Sequence, residues 1–361
     1  MGSLDRGGQE TTIMHHYRHI DRNQVQFDFL LTDQPSAPEN FESEALEMGA
    51  RIFRRPMRSK HPYQNAKALW TLLKAHPEIQ VVHIHNLSPL IAIDTWIAKR
   101  CHVPMRIAHS RCETLDMPRY QKMFRPLLRA TATNWFTCSK QAGISLFGKK
   151  ALNDVRFQIL PNARPIKPFL FDSEIRQKKR KELGIDNHTF AWINVGRLTE
   201  QKNQLFLLEV FAQSLNRHKE QILMIAGAGD LLEKLQAKAR ALGIFDKVHF
   251  LGLRKDIAEL LQAADLFLLP SLYEGLPGTV IEAQAAGLPC LIADTIAPES
   301  KITDLVQFLP IDKGYDPWTD TVAGIQKIDA SRVNMDAMIT RAGYDIASAS
   351  ARLMKLYQTE F

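Results

Sequence analysis

The chain has 361 residues, enough for about two domains, and its 45% hydrophobic and 24% charged residues are typical of a globular protein. No apolar run approaches the ~20 residues that cross a bilayer, no signal peptide is visible, and the four widely spaced cysteines predict a reducing, cytoplasmic setting without a structural zinc site. Residues 1–165 contain 23 Lys and Arg against 14 Asp and Glu, whereas residues 166–361 contain 23 against 25, so we expect the first half to face an anionic partner.

The N-terminus is unusual for a chain of this pattern. Residues 1–10 look like the loop that follows a first strand, and a helix is predicted from about Gln9 to Ile20, yet no apolar strand comes before it. Gly8 near the start of that helix would let a phosphate or a sugar approach the backbone closely. A flexible tail is the alternative interpretation, and the residues alone leave both open.

The rest of the first half alternates strands with helices. The predicted strands are Val25–Leu31, Ala50–Phe53, Val81–His85, Met105–His109 and Trp135–Cys138, and the predicted helices are Gln64–Ala75 and Pro89–Arg100. Such alternation predicts βαβ units around a parallel sheet. Pro161, Pro165 and Pro168 then indicate a hinge into a second domain.

The second half repeats this alternation. Its predicted strands are Phe190–Val195, Ile222–Ala226, Val248–Leu251, Leu266–Leu269 and one near Cys290, and its predicted helices are Ser173–Leu183, Gln204–Leu215, Leu231–Leu242, Ile257–Ala263 and Thr279–Ala286. The chain from about Ser331 onward is predicted to be helical. The pattern therefore indicates the α/β class, with a second domain built on a parallel sheet.

Residues 266–290 carry the strongest signal for a ligand site. A buried strand leads into a loop rich in Gly and Pro and then into a short helix, with Glu274 in the loop and Glu282 in the helix. Ligands of open α/β sheets bind at the carboxyl ends of strands, and Gly278 and the free N–H groups of a helix start favour phosphate. Two carboxylates beside a phosphate make sense if they bind sugar and ribose hydroxyls. The alternatives are that Thr279 and Glu282 form only a capping box and that Glu274 is a solvated loop acid.

A second candidate site follows the strand that ends at Val195. Gly196 lies at the strand end, and Arg197 and Lys202 flank the turn into the next helix, where a guanidinium and an ammonium could clamp a diphosphate. A pair of solvated basic residues is the alternative. The nearby sequence Ala226-Gly-Ala-Gly-Asp230 lacks the third glycine of a dinucleotide fingerprint, so we interpret it mainly as a tight turn.

Histidines and basic residues mark the first half. His109 ends its strand and could donate a hydrogen bond to a sugar hydroxyl or a phosphate, whereas His83 and His85 share one face of their strand and also suit a core role. Two basic runs with apolar residues among them could bind anionic lipid headgroups or could be solvated faces. They are Arg51, Arg54, Arg55, Arg58 and Lys60, and Arg119, Lys122, Arg125 and Arg129. No nucleic-acid-binding module is visible, so nucleic acid is not expected as a partner.

Short motifs follow one another along nearly the whole chain. They are Asp5-Arg-Gly-Gly8, His109-Ser-Arg111, Leu160-Pro-Asn162, Val195-Gly-Arg197, Gln201-Lys-Asn203, Gly227-Ala-Gly229, Phe250-Leu-Gly252 and Glu274-Gly-Leu-Pro-Gly-Thr-Val-Ile-Glu282. Each motif is weak by itself, but their order and spacing together are specific. In these motifs the chain resembles the retaining glycosyltransferases of family 4, most closely the bacterial capsular and exopolysaccharide enzymes.

The resemblance implies the GT-B fold, in which two Rossmann-like parallel-sheet domains face each other across a cleft. It implies an N-terminal acceptor-binding domain at residues 1–162 and a nucleotide-sugar-binding domain at residues 163–340. A C-terminal helix at residues 341–361 would cross back to the first domain.

The resemblance also implies roles for individual residues. Arg197 and Lys202 would hold the donor diphosphate, and His109 would touch the transferred sugar. Glu274 would contact the sugar hydroxyls, and Glu282 would bind the ribose. The other implied donor-binding positions are Gly8, Gly196, Asn203, Leu253 near the base, and Gly275, Leu276, Pro277, Gly278 and Thr279, whose backbone would contact sugar and phosphate.

The implied reaction is transfer of a hexose from a UDP- or GDP-sugar to a growing glycan, with retention of configuration by front-face attack and without a metal or other cofactor. Stabilisation of the departing diphosphate would drive it, so Glu274 is not expected to be a nucleophile. A lipid-linked acceptor would explain the basic first half and would place the enzyme in the cytoplasm, peripherally at the inner membrane face. The rival hypotheses are a sugar-nucleotide epimerase or a phosphorylase of the same fold, and an inactive glycan- or membrane-binding relic.

Two departures from the family pattern matter. The family begins with a central strand before the position of Gly2, and this chain lacks that strand, which suggests a misassigned start or a truncated chain. Gly278 stands where a larger residue is common, which could loosen the sugar pocket.

Overall fold

The computed structural model describes residues 2–5, 8–33, 40–111, 117–274, 276–326 and 332–358. Gly275, one of the implied donor-binding residues, lies outside these ranges. The chain forms two compact units: Met1–Arg164 together with Asp345–Phe361, and Pro165–Tyr344. The sequence had suggested boundaries after residues 162 and 340, close to these positions.

Strands and helices alternate along the described chain. The strands are β1 (Phe29–Thr32), β2 (Ile52–Arg55), β3 (Val81–His85), β4 (Met105–Ser110), β5 (Asn134–Thr137), β6 (Phe157–Ile159), β7 (Phe190–Val195), β8 (Gln221–Ala226), β9 (Val248–Gly252), β10 (Leu266–Leu269), β11 (Cys290–Ala293) and β12 (Val306–Leu309). The helices are α1 (Gly8–His19), α2 (Glu42–Glu47), α3 (Pro62–Ala75), α4 (Ala92–Arg100), α5 (Arg119–Lys122), α6 (Arg125–Thr131), α7 (Lys140–Phe147), α8 (Ser173–Glu182), α9 (Gln204–Arg217), α10 (Leu232–Ala241), α11 (Ile257–Ala263), α12 (Gly278–Ala285), α13 (Asp316–Ile325), α14 (Asp336–Arg341) and α15 (Ile346–Gln358). None of these helices is both long enough and apolar enough to cross a membrane.

The second unit is built on a parallel sheet with the strand order β12-β11-β10-β7-β8-β9. Every residue of β8, β10 and β11 is buried, because helices cover both faces of a doubly wound sheet and leave no polar face to the strands. The sheet grows in one direction from β7 to β9 and in the other from β10 to β12. The carboxyl ends of β7 and β10 therefore form the switch point where open α/β sheets bind ligands.

Large side chains fill the core beside this switch point. Trp192 of β7 is fully buried, meets Phe211 edge to face at 5.1 Å between ring centroids, and donates its indole N–H to Gln221 Oε1 at 2.9 Å. Asn194, two residues further along β7, is also fully buried and donates from Nδ2 to the Leu268 carbonyl at 2.8 Å. This bond ties β7 to β10 just below the candidate site.

The first unit contains two separate parallel sheets, with the orders β1-β2 and β3-β4-β5-β6. The strands of both sheets are parallel, as the alternation of strands and helices predicted. The strand expected from Val25 begins only at Phe29, because Val25 and Phe27 pack as apolar side chains around Phe136 and Tyr357 instead of pairing.

The C-terminal helix α15 belongs to the first unit. Its buried residues Ile346, Ser350, Leu353 and Tyr357 recur at the spacing of one helix face. Ser350 Oγ lies 3.0 Å from Nδ1 of His16 on α1, and Leu353 and Tyr357 join the apolar cluster under β4. Helix α15 therefore packs against α1 and β4 and forms part of the core of the first unit.

Candidate functional site

The candidate site of the second unit lies where β7 and β10 end. Gly196 to Asn203 follow β7, and Ser271 to Glu274 follow β10. Since these two strands are neighbours in the sheet, their carboxyl-end loops meet at the same edge. The structure thus brings together two motifs that are far apart in the sequence.

Two glycines make the turns at this edge possible. A Cβ added at Gly227 would lie 1.9 Å from the Gly196 carbonyl oxygen, and one added at Gly229 would lie 2.4 Å from the Leu198 carbonyl oxygen. Both glycines also have positive φ, 148° and 159°. The loop after β8 therefore packs backbone to backbone against the loop after β7, which only glycine permits at these two positions.

Lys202 and Glu274 form an ion pair in which Lys202 Nζ lies 2.6 Å from Glu274 Oε1. Each side chain is only 14% exposed, so water screens the pair weakly. The aliphatic part of Lys202 lies over Gly196, where an added Cβ would come within 3.1 Å of Cε. Asn203 follows in the left-handed conformation at φ 55° and ends the turn that presents Lys202.

Hydrogen bonds hold the loop that carries Glu274. The Leu272 N–H donates to the Gln201 carbonyl at 2.8 Å, and Gln201 Nε2 donates to the Tyr273 carbonyl at 3.0 Å. On its other side, Thr295 Oγ1 donates to the Ser271 carbonyl at 2.7 Å. The separation of the ammonium from the carboxylate is therefore set by the backbone as well as by their charges.

Arg197 and Leu253 stand at the solvent side of this edge. Arg197 is exposed, and its carbonyl accepts from Gln204 Nε2 at 3.0 Å, while among the described residues its guanidinium forms no ion pair. Leu253, directly after β9, is 84% exposed. A cation and an apolar side chain thus remain available to a ligand that carries phosphate and an aromatic base.

Helix α12 begins at Gly278, with Pro277 as its N-cap. Within the described part of the chain no side chain caps this end, so N–H groups of the first turn remain available to an anion. Thr279 lies inside the helix rather than at the N-cap, which shows that the capping-box alternative was wrong. Its Oγ1 is buried and finds no hydrogen-bond partner among the described residues.

Glu282, Leu276 and Pro277 lie in α12 or directly before it. Glu282 lies in the second turn of α12 and is 9% exposed. Leu276 is half-buried and packs beside Ile281 and Tyr344, which anchors the segment before the helix. Leu276 and Pro277 therefore contribute to the shape of the loop rather than a reactive side chain.

The first unit holds a separate cluster of three histidines. His83 and His85 of β3 stack with their ring centroids 4.1 Å apart, and His83 stacks on His109 of β4 at 5.1 Å. His83 Nε2 lies 2.9 Å from His109 Nδ1, and His83 Nδ1 lies 2.6 Å from Tyr357 Oη. Nε2 of His109 is buried without a hydrogen-bond partner in the described residues.

Burial and a neighbouring cation keep these rings neutral. Desolvation holds the pKa of His83, His85 and His109 well below the ordinary value, and the Arg111 guanidinium lowers it further. The three rings are the metal-ligand set that the described residues offer. Their nitrogens, however, are largely engaged in hydrogen bonds, and Arg111 places a positive charge beside them, so the donor set fits a hydrogen-bonded cluster better than a cation site.

Arg111 is hydrogen-bonded to the histidine cluster and Asn162 to Arg111, and the sequence alone predicted no role for either residue. Arg111 is 5% exposed, donates from Nε to His85 Nδ1 at 3.0 Å and donates from Nη1 to Asn162 Oδ1 at 3.0 Å. Asn162 Nδ2 returns a bond to the Arg111 carbonyl at 3.2 Å. Burial lowers the pKa of Arg111 to about 10. Their positions in the motifs His109-Ser-Arg111 and Leu160-Pro-Asn162 are the only indication of a role in the sequence.

Gly8 also lies in the first unit and opens α1. It is exposed, and a Cβ added there would meet no atom within 4 Å among the described residues. Packing within the unit does not require glycine here, so the predicted contact between Gly8 and a diphosphate or acceptor stays a prediction.

Most arginines of the two basic runs bind groups inside the first unit. Arg55 and Arg58 both donate to the buried Asp94, and Arg51 and Arg54 pair with Asp28 and Glu42, each at 2.5 Å. Arg125 and Arg129 donate to carbonyls at the end of α7. The exposed remainder of the second run is the α5 surface, which we define as Arg119, Tyr120, Lys122 and Met123.

Two family models match the chain. The model described as Glycosyl transferases group 1 matches residues 175–344, and the model described as Glycosyltransferase Family 4 matches residues 6–163. The two matches follow the two structural units.

Individual proteins resemble the chain over different lengths. A protein named as a glycosyltransferase, EpsF of Bacillus subtilis, is 31% identical over 369 residues, which cover 99% of this chain and 94% of the relative. UDP-Gal:alpha-D-GlcNAc-diphosphoundecaprenol alpha-1,3-galactosyltransferase of Escherichia coli is 31% identical over 146 residues, which cover 40% of this chain and 38% of the relative. The crystal structure of Anabaena Alr3699/HepE in complex with UDP and glucose superposes with a TM-score of 0.70 at 16% identity, over 99% of this chain and 98% of that one. At that identity the structural match bears on the fold alone.

Proposed function

We propose, from the premise that this chain belongs to the family 4 glycosyltransferases with the GT-B fold, that it moves a hexose from a nucleotide-diphosphate sugar to a growing polysaccharide precursor. The observation that carries this proposal is the Lys202–Glu274 ion pair at the switch point of the second unit's sheet. An ammonium and a carboxylate held side by side can receive two chemically different parts of one ligand, an anionic diphosphate and a neutral sugar.

The diphosphate is assigned to the cationic side of this pair. Arg197 follows Gly196 and is exposed, and the side chain of Lys202 lies over Gly196. We assign both cations to the diphosphate, whose negative charge grows as the glycosidic bond breaks. Uncapped N–H groups at Gly278 and Thr279 add donors for the same oxygens. With this stabilisation the proposed reaction needs no metal, and the acceptor attacks from the face that the diphosphate leaves, with retention of configuration.

The sugar and nucleoside are assigned to the remaining groups. Glu274 accepts hydrogen bonds from sugar hydroxyls, and its backbone is held in place because the Ala297 N–H donates to its carbonyl at 3.3 Å. Glu282 accepts from the ribose hydroxyls, Asn203 supports the Lys202 turn, and Leu253 offers an exposed apolar surface to the base. Carboxylates suit these positions because they accept several hydroxyl hydrogen bonds at once.

His109 is assigned to the transferred sugar. Its Nε2 is the ring atom that lacks a partner among the described residues, and its Nδ1 lies 2.9 Å from His83 Nε2. A neutral imidazole held in this way can form a hydrogen bond with a sugar hydroxyl. The lowered pKa of His109 keeps the ring neutral at physiological pH.

Two similar proteins suggest which nucleotide and which class of acceptor this chain uses. The HepE structure was solved with UDP, and the name of the Escherichia coli relative gives UDP-galactose as donor and a diphosphoundecaprenol-linked sugar as acceptor. We therefore favour a UDP-sugar over a GDP-sugar and a lipid-linked acceptor at the cytoplasmic membrane face. The exposed α5 surface supports peripheral membrane contact, because it presents basic and apolar side chains together.

The test is a donor screen. The purified protein is incubated with UDP- and GDP-sugars and with lipid-diphosphate-linked sugar acceptors, and released nucleoside diphosphate and the anomeric configuration of the product are measured. We expect turnover with one UDP-hexose and a product with the donor's configuration. Glu274→Ala and Lys202→Ala should each lower turnover at least 100-fold.

The matched control is Lys238→Ala, which breaks a lysine–glutamate pair with Glu209 in the same unit, away from β7 and β10. It should leave turnover unchanged. Release of a free epimerised nucleotide sugar would favour an epimerase, and failure of every donor while UDP binding persists would favour a binding relic.

A further inference from the structure

Tyr357 of α15 begins a chain of hydrogen bonds that ends at His109. In the parallel register of β3 and β4, His85 lies opposite His109, so the odd-numbered residues of both strands share one face. Helix α15 packs against that face. Tyr357 Oη lies 2.6 Å from His83 Nδ1, and His83 Nε2 lies 2.9 Å from His109 Nδ1. One side chain therefore joins the C-terminal helix to the residue that we assign to the sugar.

The phenol of Tyr357 fixes the direction of this chain. The side chain is buried, and burial raises the pKa of Tyr357, so the phenol keeps its proton. Within the described part of the chain the hydroxyl has one hydrogen-bond partner, His83 Nδ1. A buried O–H that donates to no acceptor is costly. The hydroxyl hydrogen is therefore directed at His83 Nδ1, which accepts it.

The tautomers of two histidines follow from that direction. A neutral imidazole has one N–H and one lone pair, and the lowered pKa values of His83 and His109 keep both rings neutral. Because His83 Nδ1 accepts from Tyr357, His83 Nε2 carries the hydrogen and donates to His109 Nδ1. His109 then carries its own hydrogen on Nε2, which is buried and has no hydrogen-bond partner among the described residues. A buried donor of this kind points to a ligand that accepts from it.

Arg111 gives His85 the same tautomer independently. A guanidinium has donors only, so the bond of 3.0 Å from Arg111 Nε makes His85 Nδ1 an acceptor. The lowered pKa of His85 keeps its ring neutral, and its hydrogen therefore lies on Nε2. The ring centroids of His85 and His109 are 5.1 Å apart. Two neighbouring rings are thus held as Nε2–H donors by different partners, which suits a ligand that offers oxygen lone pairs.

We propose that Tyr357 is a positioning residue, which acts through His83 to hold His109 as an Nε2–H donor toward an oxygen of the transferred sugar. The identity of the ligand rests on the proposed function, whereas the tautomer rests on contacts within the first unit alone. The consequence is a specificity for the donor sugar. At the position that His109 contacts, the sugar must present a lone pair, because a hydroxyl hydrogen directed there would meet a second donor.

Nitrogen spectroscopy of the histidine rings tests the tautomers directly. The full chain, labelled with nitrogen-15 in histidine, is measured at about pH 7.5, where the buried rings are neutral and protonated and unprotonated ring nitrogens give separate signals. The signals that disappear in His109→Gln identify that ring. We expect one tautomer of His109, with the hydrogen on Nε2. A hydrogen on His109 Nδ1 in the wild type would overturn the proposal, and this result needs no variant that has to fold.

Tyr357→Phe tests the positioning role. It removes the hydroxyl and keeps the ring that packs edge to face on Phe27, with 6.0 Å between centroids. Either direction of the His83–His109 bond then leaves one N–H and one lone pair unpaired, so we expect a mixture of the two His109 tautomers. A single, unchanged tautomer of His109 in this variant would show that Tyr357 does not set it.

Tyr17→Phe is the matched control for that variant. Tyr17 is also buried and also packs on Phe27, with 5.2 Å between centroids, but its hydroxyl donates to a backbone carbonyl at 3.1 Å instead of a histidine. The histidine signals of Tyr17→Phe should match those of the wild type. The same loss of the single tautomer in both variants would show a general effect of removing a buried hydroxyl and would overturn the role of Tyr357.

Analogues of the donor sugar test the specificity. Calorimetry measures binding of the UDP-sugar and of its deoxy and deoxyfluoro analogues, because fluorine would also slow cleavage of the glycosidic bond in a turnover assay. At one sugar position the deoxy analogue should bind roughly fivefold or more weakly than the parent sugar. The fluoro analogue should recover part of that loss, because fluorine has lone pairs and no hydrogen. In Tyr357→Phe this recovery should shrink.

The two readouts separate failure of the inference from failure of the proposed function. A fluoro analogue that binds no better than the deoxy analogue at every position would overturn the assignment of His109 as a donor to the sugar. Absence of binding by every UDP-sugar would overturn the proposed function and the sugar as the ligand. The tautomer measurement uses no sugar, so a reversed tautomer would overturn the inference alone.

Discussion

Lys202 Nζ lies 2.6 Å from Glu274 Oε1, although the two residues follow different strands of the second unit's sheet. Hydrogen bonds between the Gln201 turn and Leu272 and Tyr273 fix the backbone on both sides of this pair. The pair is thus built into the switch point of the sheet, at an edge that also presents Arg197.

The first prediction concerns the stability of this pair. Lys202→Met and Glu274→Gln should each lower the free energy of unfolding by about 1–3 kcal/mol, because each leaves a mostly buried charge or dipole without its partner. The double variant should lose less than the sum of the two, with a coupling of about 1 kcal/mol or more. Urea unfolding of the four proteins measures this cycle, and strictly additive losses would show that the two residues do not interact.

The second prediction concerns the loop after β8. Gly227→Ala should cost about 3 kcal/mol or more, or prevent folding, because its Cβ would lie 1.9 Å from the Gly196 carbonyl oxygen. Gly243→Ala is the matched control, since Gly243 also has positive φ, at 66°, but an added Cβ there meets nothing within 4 Å of the described residues. It should cost only about 1 kcal/mol. Thermal unfolding compares the two, and equal losses would contradict the close packing of the two loops.

The third prediction concerns pH and the histidine cluster. His83, His85 and His109 have lowered pKa values in the folded protein, whereas the unfolded chain takes up their protons near pH 6.5. The unfolded state therefore binds more protons below that pH, and the free energy of unfolding falls as pH drops from 7.5 to 5.5. The loss should be about 1 kcal/mol for each histidine.

Urea unfolding at the two pH values measures this loss. His85→Gln should lower the number of protons taken up on unfolding at pH 5.5 by about one, which makes the free energy of unfolding less dependent on pH. A free energy of unfolding that stays constant between pH 5.5 and 7.5 would show that the cluster does not remain neutral in the folded protein.

The fourth prediction concerns Arg197. Arg197→Ala should weaken UDP binding at least about tenfold, because a charge-assisted bond to phosphate is lost. It should change the free energy of unfolding by less than about 0.5 kcal/mol, because the side chain is exposed. Arg217→Ala, which removes an exposed arginine of α9 that pairs with Asp320, is the control for a general loss of positive charge. If both variants bind UDP equally well, Arg197 does not contact the nucleotide.

The sequence predicted the central part of the second unit well because β8, β10 and β11 are buried along their whole length. The bounds predicted for β7, β10 and α11 agree with the structure, since continuous apolar runs bounded by Gly, Pro or Asp leave little choice of register. β12 and α13 escaped prediction; β12 is short, and Val306 is its only buried residue.

The sites were predictable as motifs but not as contacts. Nothing local in the sequence indicates that Lys202 pairs with Glu274, or that Arg55 and Arg58 converge on Asp94, because these contacts join distant segments. The basic run around Arg55 was interpreted as surface for the same reason.

Calorimetric titration of UDP into the wild type, Lys202→Met and Glu274→Gln, together with sugar transfer by the same three proteins, tests the donor site most directly. Lys202→Met should weaken UDP binding at least about tenfold. Glu274→Gln should bind UDP as tightly as the wild type, because it removes a carboxylate and keeps the cation, yet it should lose sugar transfer. Wild-type UDP affinity in Lys202→Met, or full transfer by Glu274→Gln, would contradict the assignment of diphosphate and sugar to this pair.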